Sequence, residues 1–266
     1  MVSMDKALKQ FIVQIAAEAG EYLRNHFYTF KNVIEHDSGA LKTNIDLELA
    51  AHLRKRIAEV YPEHAVRIQG ETQTKNAEYV WLIDPLDGSS HFSRSIPIYT
   101  VTIALQHNGT TVLAAVNHAQ THQLFFAAQG GGAYLNGIEI GVSEQRDLSK
   151  ALIFVELPEK KFADQLETTA TLETRMGTVN RLVDAAGQLE TFRIGSFGQC
   201  LVAAGAFDAY IDLSGSSEAL SQAASRLILE EAGAEIIDVQ PSKDGFVQIM
   251  ATNNYLAAEL KKIIHG

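Results

Sequence analysis

Cysteine and long apolar stretches are the scarcest features of this 266-residue chain. Its single cysteine, Cys200, excludes an internal disulfide and is typical of a reducing compartment, so we expect a cytoplasmic protein. No uncharged apolar run is long enough to cross a bilayer, and the segment from Met1 to Lys6 does not read as a signal peptide. The composition therefore predicts no membrane partner.

Positive charge is also in short supply. The chain has 22 Lys and Arg residues against 32 Asp and Glu residues, which gives a formal net charge of −10 at pH 7. A general nucleic-acid-binding surface needs clustered Lys and Arg side chains to displace counterions, so the composition argues against a nucleic-acid partner.

Hydrophobic residues make up 46% of the sequence, enough for a substantial core. Residues 1–150 read as two amphipathic helices followed by an antiparallel meander, in which Asn108-Gly109 and Asn136-Gly137 are hairpin turns. After residue 150, alternating strands and helices predict a C-terminal α/β half over residues 151–266. We expect both parts to form one compact globular unit of α/β class, with sheets layered against helices.

The most informative segment is Trp81-Leu-Ile-Asp-Pro-Leu-Asp-Gly-Ser-Ser-His-Phe92. An apolar run predicts a buried strand that ends at Asp84, and Asp87 follows within a tight turn. Two carboxylates so close together repel each other unless a cation lies between them, and Mg²⁺ prefers such oxygen ligands. The alternative is an ordinary Asp-Pro and Asp-Gly turn that is capped by its own side chains.

Two further carboxylates precede this segment. The run Val66–Glu71 predicts a short strand that ends in glycine and Glu71, and ligands of α/β sheets gather beyond the carboxyl ends of strands. Asp46 lies at the start of a predicted helix, where helix capping and a functional role are equally open explanations. Both residues are therefore candidates to join the carboxylates of the Trp81–Phe92 segment.

These motifs resemble the inositol monophosphatase family of Mg²⁺-dependent, lithium-sensitive sugar-phosphate phosphatases. The first family signature, W-[IV]-D-P-[IL]-D-G-[TS]-x-x-F, matches residues 81–92, and the family order of motifs is kept from about Glu35 to Asn254. The resemblance implies a five-layer α-β-α-β-α sandwich and a homodimer. It also implies Mg²⁺ as the cofactor, in one to three ions, and a small phosphorylated metabolite as the partner of the site.

The resemblance also assigns roles to residues at matching positions. The implied metal ligands are Glu71, Asp84, the backbone carbonyl of Leu86, and Asp87. The implied catalytic residues are Glu71, Ser89 and Asp46: Glu71 and Ser89 orient a metal-activated water, and Asp46 polarises Ser89. The implied phosphate- and substrate-binding residues are Gly88, Ser89, Ser90 and Asp212. The phosphate would lie against backbone amides at a helix start, where free N–H groups favour anions.

The second family signature is incomplete in this chain. Counting back from Glu231 places Leu220-Ser221 where the family has Trp-Asp, so a neutral hydroxyl stands in place of a ligand of the second metal ion. Glu218 lies in a two-residue insertion ahead of this helix and is a candidate third carboxylate. In the alternative, Ser216 or Ser217 caps the helix and Glu218 lies in its exposed first turn.

Two classes of function follow from these patterns. The first is Mg²⁺-dependent hydrolysis of a small phosphate monoester, such as inositol monophosphate or a similar sugar or polyol phosphate, with activity reduced by Ser221. The alternative is a degenerate phosphatase relative that acts as a ligand-binding or protein-interaction regulator with weak or no catalysis. The retained carboxylates favour the first class, and Ser221 favours the second.

Overall fold

A computed structural model describes residues 6–35, 41–71, 77–158, 172–193, 195–243 and 245–265. The backbone forms two compact units. The first comprises Met1–Glu139 and Leu220–Ile228, and the second comprises Ile140–Ala219 and Leu229–Gly266. The sequence predicts a division at residue 150 from the change between a strand meander and alternating strands and helices. That division stays a prediction.

The elements up to residue 140 build a sheet with two covering helices. They are α1 (Lys6–His26), β1 (Val33–Glu35), β2 (Leu41–Thr43), α2 (Asn44–Val60), β3 (Ala65–Ile68), β4 (Tyr79–Asp87), α3 (Ser89–Ser93), β5 (Thr100–His107), β6 (Thr110–His118), β7 (Gln123–Ala128), β8 (Ala133–Leu135) and β9 (Ile138–Ile140). Strands β3 to β9 form a seven-stranded sheet in sequence order. The pairing of β3 with β4 is parallel, whereas successive strands from β4 to β8 pair antiparallel, which confirms the predicted meander.

Helices α1 and α2 pack against the strands of this sheet and supply much of its core. The predicted apolar stripe of α1 is buried, and Ile12 and Ile15 have no exposed surface. Trp81 on β4 is also fully buried, and the ring of Phe11 meets it edge-on with 5.7 Å between centroids. This packing fixes β4, so the residues at the end of the strand have defined positions.

The second unit is built on a six-stranded sheet. Its elements are β10 (Leu152–Glu156), α4 (Leu172–Ala185), β11 (Gln188–Glu190), α5 (Gly195–Ala203), β12 (Ala209–Asp212), β13 (Ser217–Glu218), parts of α6 (Ala219–Glu231), β14 (Glu235–Lys243), β15 (Phe246–Thr252) and α7 (Ala257–His265). Strand β10 pairs in parallel with β11 and β12, whereas β15 pairs antiparallel with β12, β13 and β14. Strands and helices alternate along most of this unit, as the sequence predicts.

Two findings concern helices. The sequence does not predict α4, because an apolar stripe is the main helix signal and two of its three buried side chains are polar: Arg175, Thr178 and Leu182. A helix that the sequence predicts near residues 159–170 lies outside the described residues. In the part of the chain that the structure describes, no helix has the length and apolar composition that a membrane span requires.

Candidate active site

The acidic turn of the first signature lies at the end of strand β4. The pairing of β4 with β5 is regular up to Asp84 and shifts register before Asp87. Pro85 lies within this irregular stretch, where a residue without a backbone N–H is tolerated. The amide of Leu86 donates a hydrogen bond of 3.2 Å to Asp84 Oδ1. Strand β4 therefore delivers both carboxylates to one turn.

Asp84 is a buried carboxylate that accepts a hydrogen bond from a serine hydroxyl. Only 2% of its surface is exposed, and Ser221 Oγ donates a hydrogen bond of 2.7 Å to Asp84 Oδ2. Ser221 lies on the part of α6 that belongs to the first unit, and its carbonyl accepts a bond of 3.4 Å from Thr102 Oγ1. Ser221, where the chain departs from the second family signature, thus contacts Asp84 of the first signature directly. A neutral donor satisfies a carboxylate oxygen that burial would otherwise leave without water.

Gly88 and Ser89 form the start of the short helix α3. Gly88 has a φ of +90°, and a Cβ at this position would lie 2.9 Å from the carbonyl oxygen of Ile98, so a side chain is excluded on two grounds. Ser89 Oγ lies 2.7 Å from Asp46 Oδ1 and 2.8 Å from the carbonyl oxygen of Leu86. A hydroxyl has one proton, so Ser89 can donate to one of these acceptors at a time.

Asp46 both caps a helix and contacts the site. Thr43 is the N-cap of α2, and its backbone N–H and hydroxyl donate to Asp46 Oδ2 at 2.7 Å and 2.5 Å. The other carboxylate oxygen of Asp46 accepts the bond from Ser89. Burial raises the pKa of Asp46, and the hydrogen bonds from Thr43 and Ser89 oppose that rise. The two roles that the sequence left open are therefore compatible.

Glu71 follows β3, but its side chain turns back toward helix α2. Arg54 Nη2 donates to Glu71 Oε1 at 2.7 Å and to Oε2 at 2.9 Å, and the backbone N–H of Ile68 donates to Oε2 at 3.0 Å. Arg54 Nη1 also donates to the carbonyl of Val66 at 2.9 Å. The Glu71 carboxylate is therefore engaged by a cation of the chain itself.

The turn at the end of β4 offers the oxygen donors that Mg²⁺ prefers. The carboxylates of Asp84 and Asp87 and the carbonyl of Leu86 fit such an ion in chemical type. Glu71 is not gathered with them: among the described residues, no group of three or more His, Cys, Asp or Glu side chains is arranged to hold a metal ion. The predicted ligand set stays a prediction.

Asp212, the predicted substrate contact, is fully buried at the end of β12. Its Oδ1 accepts bonds from the backbone N–H and the hydroxyl of Ser214 at 2.8 Å and 2.7 Å, and its Oδ2 accepts one of 2.5 Å from Ser217 Oγ. Burial raises the pKa of Asp212, and these donors oppose the rise. A role in substrate binding stays a prediction, because both carboxylate oxygens already have donors.

Glu218 lies on strand β13 rather than in the first turn of a helix. Ser217 and Glu218 pair with Val247 and Phe246 of β15, and helix α6 begins at Ala219. The prediction that a serine caps this helix with Glu218 in its first turn is therefore wrong, because strand pairing takes both residues. Within the described residues Glu218 completes no metal-binding cluster, so its role as a third carboxylate stays a prediction.

Two arginines near the site were not identified from the sequence. Arg54 lies within α2 and reaches Glu71 only because the chain turns at Gly70, where φ is +85°. Arg94 follows α3, and its Nη1 donates to the carbonyl and the hydroxyl of Ser90 at 2.8 Å and 3.0 Å. The Arg94 contact spans four residues and was open to prediction, whereas the Arg54 contact depends on how β3 ends.

The chain is similar to known proteins over nearly its whole length. The model of the inositol monophosphatase family matches residues 4–265. Inositol monophosphatase 2 from Solanum lycopersicum is 28% identical over 92% of this chain and 92% of its own length. The protein named Nus factor SuhB from Vibrio cholerae is 28% identical over 87% of this chain and 85% of its own length.

The structure of the extragenic suppressor protein suhB from Bartonella henselae has the same fold. It superposes with a TM-score of 0.86 over 98% of this chain and 99% of its own, at 21% identity. The layered α/β fold class that the sequence resemblance implies is confirmed by this match. Since the family model also covers nearly the whole chain, the protein belongs to the inositol monophosphatase family.

Proposed function

We propose that the protein hydrolyses a small phosphate monoester, inositol monophosphate or a similar sugar or polyol phosphate, with Mg²⁺ as its cofactor. The observation that carries the proposal is the hydrogen bond of 2.7 Å between Ser89 Oγ and Asp46 Oδ1 beside the acidic turn. Capping of a turn does not by itself require a buried carboxylate that accepts from a hydroxyl beside two further carboxylates. It is useful for orienting a water molecule.

Asp84, the Leu86 carbonyl and Asp87 would hold the ion, joined by Glu71 once it exchanges Arg54 for the metal. When bound, Mg²⁺ supplies positive charge for the phosphate and makes a water molecule more acidic. This charge matters because the chain carries a net charge of −10, which repels a phosphate dianion. The buried position of Asp84 strengthens its attraction for a cation.

The residues of the chain do the positioning and the proton transfer. Ionised Asp46 accepts a hydrogen bond from the Ser89 hydroxyl, which leaves a Ser89 Oγ lone pair to accept a hydrogen bond from the attacking water. Glu71 accepts the water proton. The new bond forms between the water oxygen and phosphorus as the bond to the alcohol oxygen breaks. The leaving alkoxide takes a proton from a solvent water, and Glu71 returns the proton it accepted to solvent. The products are an alcohol and inorganic phosphate.

In this proposal Ser90 and Gly88 form part of the phosphate-binding site. Ser90 is exposed, and its carbonyl and hydroxyl are tied to Arg94, which places a guanidinium beside the turn. Gly88 has no side chain to cover the backbone, so a phosphate can approach the amides of residues 88–90 closely. Asp212 remains a candidate contact for substrate hydroxyls by family resemblance.

Ser221 sets the expected level of activity. In the family the equivalent Asp helps to hold a second ion, and here a hydroxyl bonds Asp84 instead. A neutral oxygen binds a hard cation more weakly than a carboxylate does. We therefore expect weaker binding of a second ion and a lower turnover than in relatives with Asp at this position.

A second candidate function is a degenerate relative that binds ligands or proteins with little catalysis. The Arg54–Glu71 pair and the Ser221–Asp84 bond favour it, since each ties a predicted metal ligand to another side chain of the protein. Some relatives of this chain carry the name Nus factor SuhB rather than that of a phosphatase. The acidic composition still argues against a direct nucleic-acid contact, and the protein's partners stay a prediction.

The location and assembly of the protein also belong to the proposal. A single cysteine suits a reducing cytoplasm, and family resemblance suggests a homodimer. Light scattering during size-exclusion chromatography measures the mass directly. A mass near twice the 29.1 kDa of one chain is expected, and a mass of one chain contradicts the dimer.

Phosphate release from a panel of sugar, polyol and nucleotide monophosphates, with and without Mg²⁺, tests the function. We expect Mg²⁺-dependent release by the wild type and a loss of about 10²-fold or more in Asp84→Asn. A wild type that is silent on every substrate, with activity restored by Ser221→Asp, would instead identify the degenerate relative. Activity without Mg²⁺ would contradict the proposed cofactor.

A further inference from the structure

The Arg54–Glu71 pair joins helix α2 to a predicted metal ligand. Both carboxylate oxygens of Glu71 accept from Arg54 Nη2, at 2.7 Å and 2.9 Å. Arg54 is itself held by its Nη1 bond of 2.9 Å to the Val66 carbonyl. The guanidinium therefore bridges the body of β3 and the carboxylate that follows it.

The backbone around Glu71 supports this arrangement. The amide of Glu71 donates to the carbonyl of Ile68 at 3.0 Å, and Gly70 takes a φ of +85° within the turn. The amide of Ile68 then donates to Glu71 Oε2 at 3.0 Å, and Arg67 Nε donates to the Glu71 carbonyl at 3.0 Å. Together with the two bonds from Arg54 Nη2, these three bonds hold the main chain and side chain of Glu71 in the folded-back position.

We infer that Arg54 is a resident cation that competes with the divalent metal ion for Glu71 and lowers the affinity of the protein for that ion. The inference rests on the proposed function, since it concerns the same site. A carboxylate that is bonded through both oxygens to a guanidinium offers poor access to a second cation, and two cations on one carboxylate repel each other. The ion therefore binds fully only when Glu71 leaves Arg54.

The cost of this exchange is expected to be small. The side chains of Arg54 and Glu71 are each 43% exposed, and ion pairs with that access to water contribute little free energy. Removing the guanidinium should therefore tighten metal binding by only about two- to five-fold, the range that corresponds to such pairs. The opposite arrangement, in which Arg54 supports Glu71 while the ion is bound, predicts weaker binding when Arg54 is removed. Whether removal of Arg54 tightens or weakens metal binding therefore distinguishes competition from support.

Calorimetric titration of metal-stripped protein with Mn²⁺, without substrate, tests the inference. Arg54→Gln is compared with Arg56→Gln, which removes the same charge from the same helix but breaks a pair with Glu18 at 3.2 Å and 3.3 Å. We expect Arg54→Gln to bind Mn²⁺ about two- to five-fold more tightly than Arg56→Gln. Equal or weaker binding by Arg54→Gln would overturn the inference.

Two further variants keep the test informative. Arg54→Lys keeps the charge but not the hydrogen-bond geometry of the guanidinium, so competition predicts Mn²⁺ binding between that of the wild type and that of Arg54→Gln. If Arg54→Gln does not fold, Arg54→Lys replaces it, and binding equal to or weaker than that of the wild type would then overturn the inference. In a Glu71→Gln background, Arg54→Gln should no longer tighten binding, because the contested carboxylate is gone. A gain that persists without Glu71 would show that Arg54 acts through general charge, which contradicts the inference.

Phosphate release, measured separately, distinguishes this inference from the proposed function. Mn²⁺ binding in the expected order without turnover supports the competition and removes the proposed function. Mg²⁺-dependent turnover without tighter binding by Arg54→Gln removes only the competition. If neither wild type nor Arg54→Gln binds Mn²⁺, both proposals fail.

Discussion

At the scale of single residues, the site depends on side chains that serve folding and chemistry together. Asp46 closes the capping box of α2 through one carboxylate oxygen and holds Ser89 through the other. Asp84 is stabilised by the hydroxyl of Ser221 although it is a predicted metal ligand. Substitutions here change stability as well as activity, so each needs a matched variant nearby.

Removal of the Ser89 hydroxyl should reduce turnover without abolishing the fold. In Ser89→Ala, Asp46 loses a donor and the attacking water loses an acceptor, so we expect kcat to fall by about 10²-fold with a small change in KM. The control is Ser93→Ala, whose hydroxyl donates to the Ser90 carbonyl at 3.1 Å in the same short helix. Steady-state kinetics measure both variants. Turnover of Ser89→Ala within a factor of about two of Ser93→Ala would contradict the assigned role.

A side chain at Gly88 should destabilise the protein for a reason separate from backbone strain. Gly88 and Gly109 both have positive φ, of 90° and 80°, but a Cβ at Gly109 meets nothing within 4 Å, whereas one at Gly88 lies 2.9 Å from Ile98 O. Gly109→Ala therefore measures strain alone. We expect Gly88→Ala to lower the free energy of unfolding by about 1–3 kcal/mol more than Gly109→Ala. Urea denaturation measures the free energy of unfolding of both variants. Equal losses would show that the contact with Ile98 relaxes at no cost.

At the scale of elements, the sequence predicts the turns and helix caps that depend on neighbouring residues. Asn108-Gly109 turns β5 into β6 because both residues accept positive φ, and the helix capping that the sequence offers for Asp46 is present because the Asp46 amide donates to the Thr43 hydroxyl. By contrast, β13 exists through its pairing with β15, and Glu71 folds back because Arg54 lies on a neighbouring helix. Such partners are distant along the chain, so no local pattern indicates them.

The end of strand β6 should make stability depend on pH. His118 is 2% exposed, and burial lowers its pKa from 6.5 to about 4, against a hydrogen bond with the backbone of Pro97. The unfolded chain therefore binds a proton at His118 at a higher pH than the folded chain does. The contribution of neutral His118 to stability is complete above about pH 6.5 and is lost as the pH falls toward about 4.

Urea denaturation of wild type and His118→Gln across this pH range measures the effect. Glutamine does not titrate, so we expect the free energy of unfolding to fall more steeply with decreasing pH in the wild type than in the variant. Parallel pH profiles would mean that His118 does not carry the proton linkage. Carboxylates that titrate in the same range are common to both proteins and cancel in the comparison.

At the scale of the whole molecule, the family match covers residues 4–265 while Ser221 departs from the family pattern at the acidic turn. The buried Asp84 is satisfied by a hydroxyl in this chain, whereas an Asp at position 221 would place a like charge against it. We therefore expect the acidic turn to fold without a second ion. Its stability should respond less to metal than that of a protein with the full signature.

Ser221→Asp should make the thermal stability of the protein depend on metal. Without Mg²⁺, the variant loses a donor to Asp84 and gains charge repulsion, so its Tm should fall below that of the wild type. Added Mg²⁺ should raise its Tm more than that of the wild type, because the ion binds the folded state. Ser221→Ala, which loses the donor without gaining a carboxylate, should show no added response to Mg²⁺. Calorimetry with EDTA and with Mg²⁺ measures all three, and equal responses would contradict a metal site beside residue 221.

The most direct test of the account is the Mg²⁺ titration of phosphate release from inositol monophosphate by metal-stripped wild type, Asp84→Asn and Asp184→Asn. Asp184 is exposed on α4, so Asp184→Asn removes the same charge away from the turn. We predict that Mg²⁺ restores release in the wild type and in Asp184→Asn, and that Asp84→Asn stays at least about 10²-fold slower at every Mg²⁺ concentration. Equal rates for Asp84→Asn and the wild type would show that the chemistry does not take place at the end of β4.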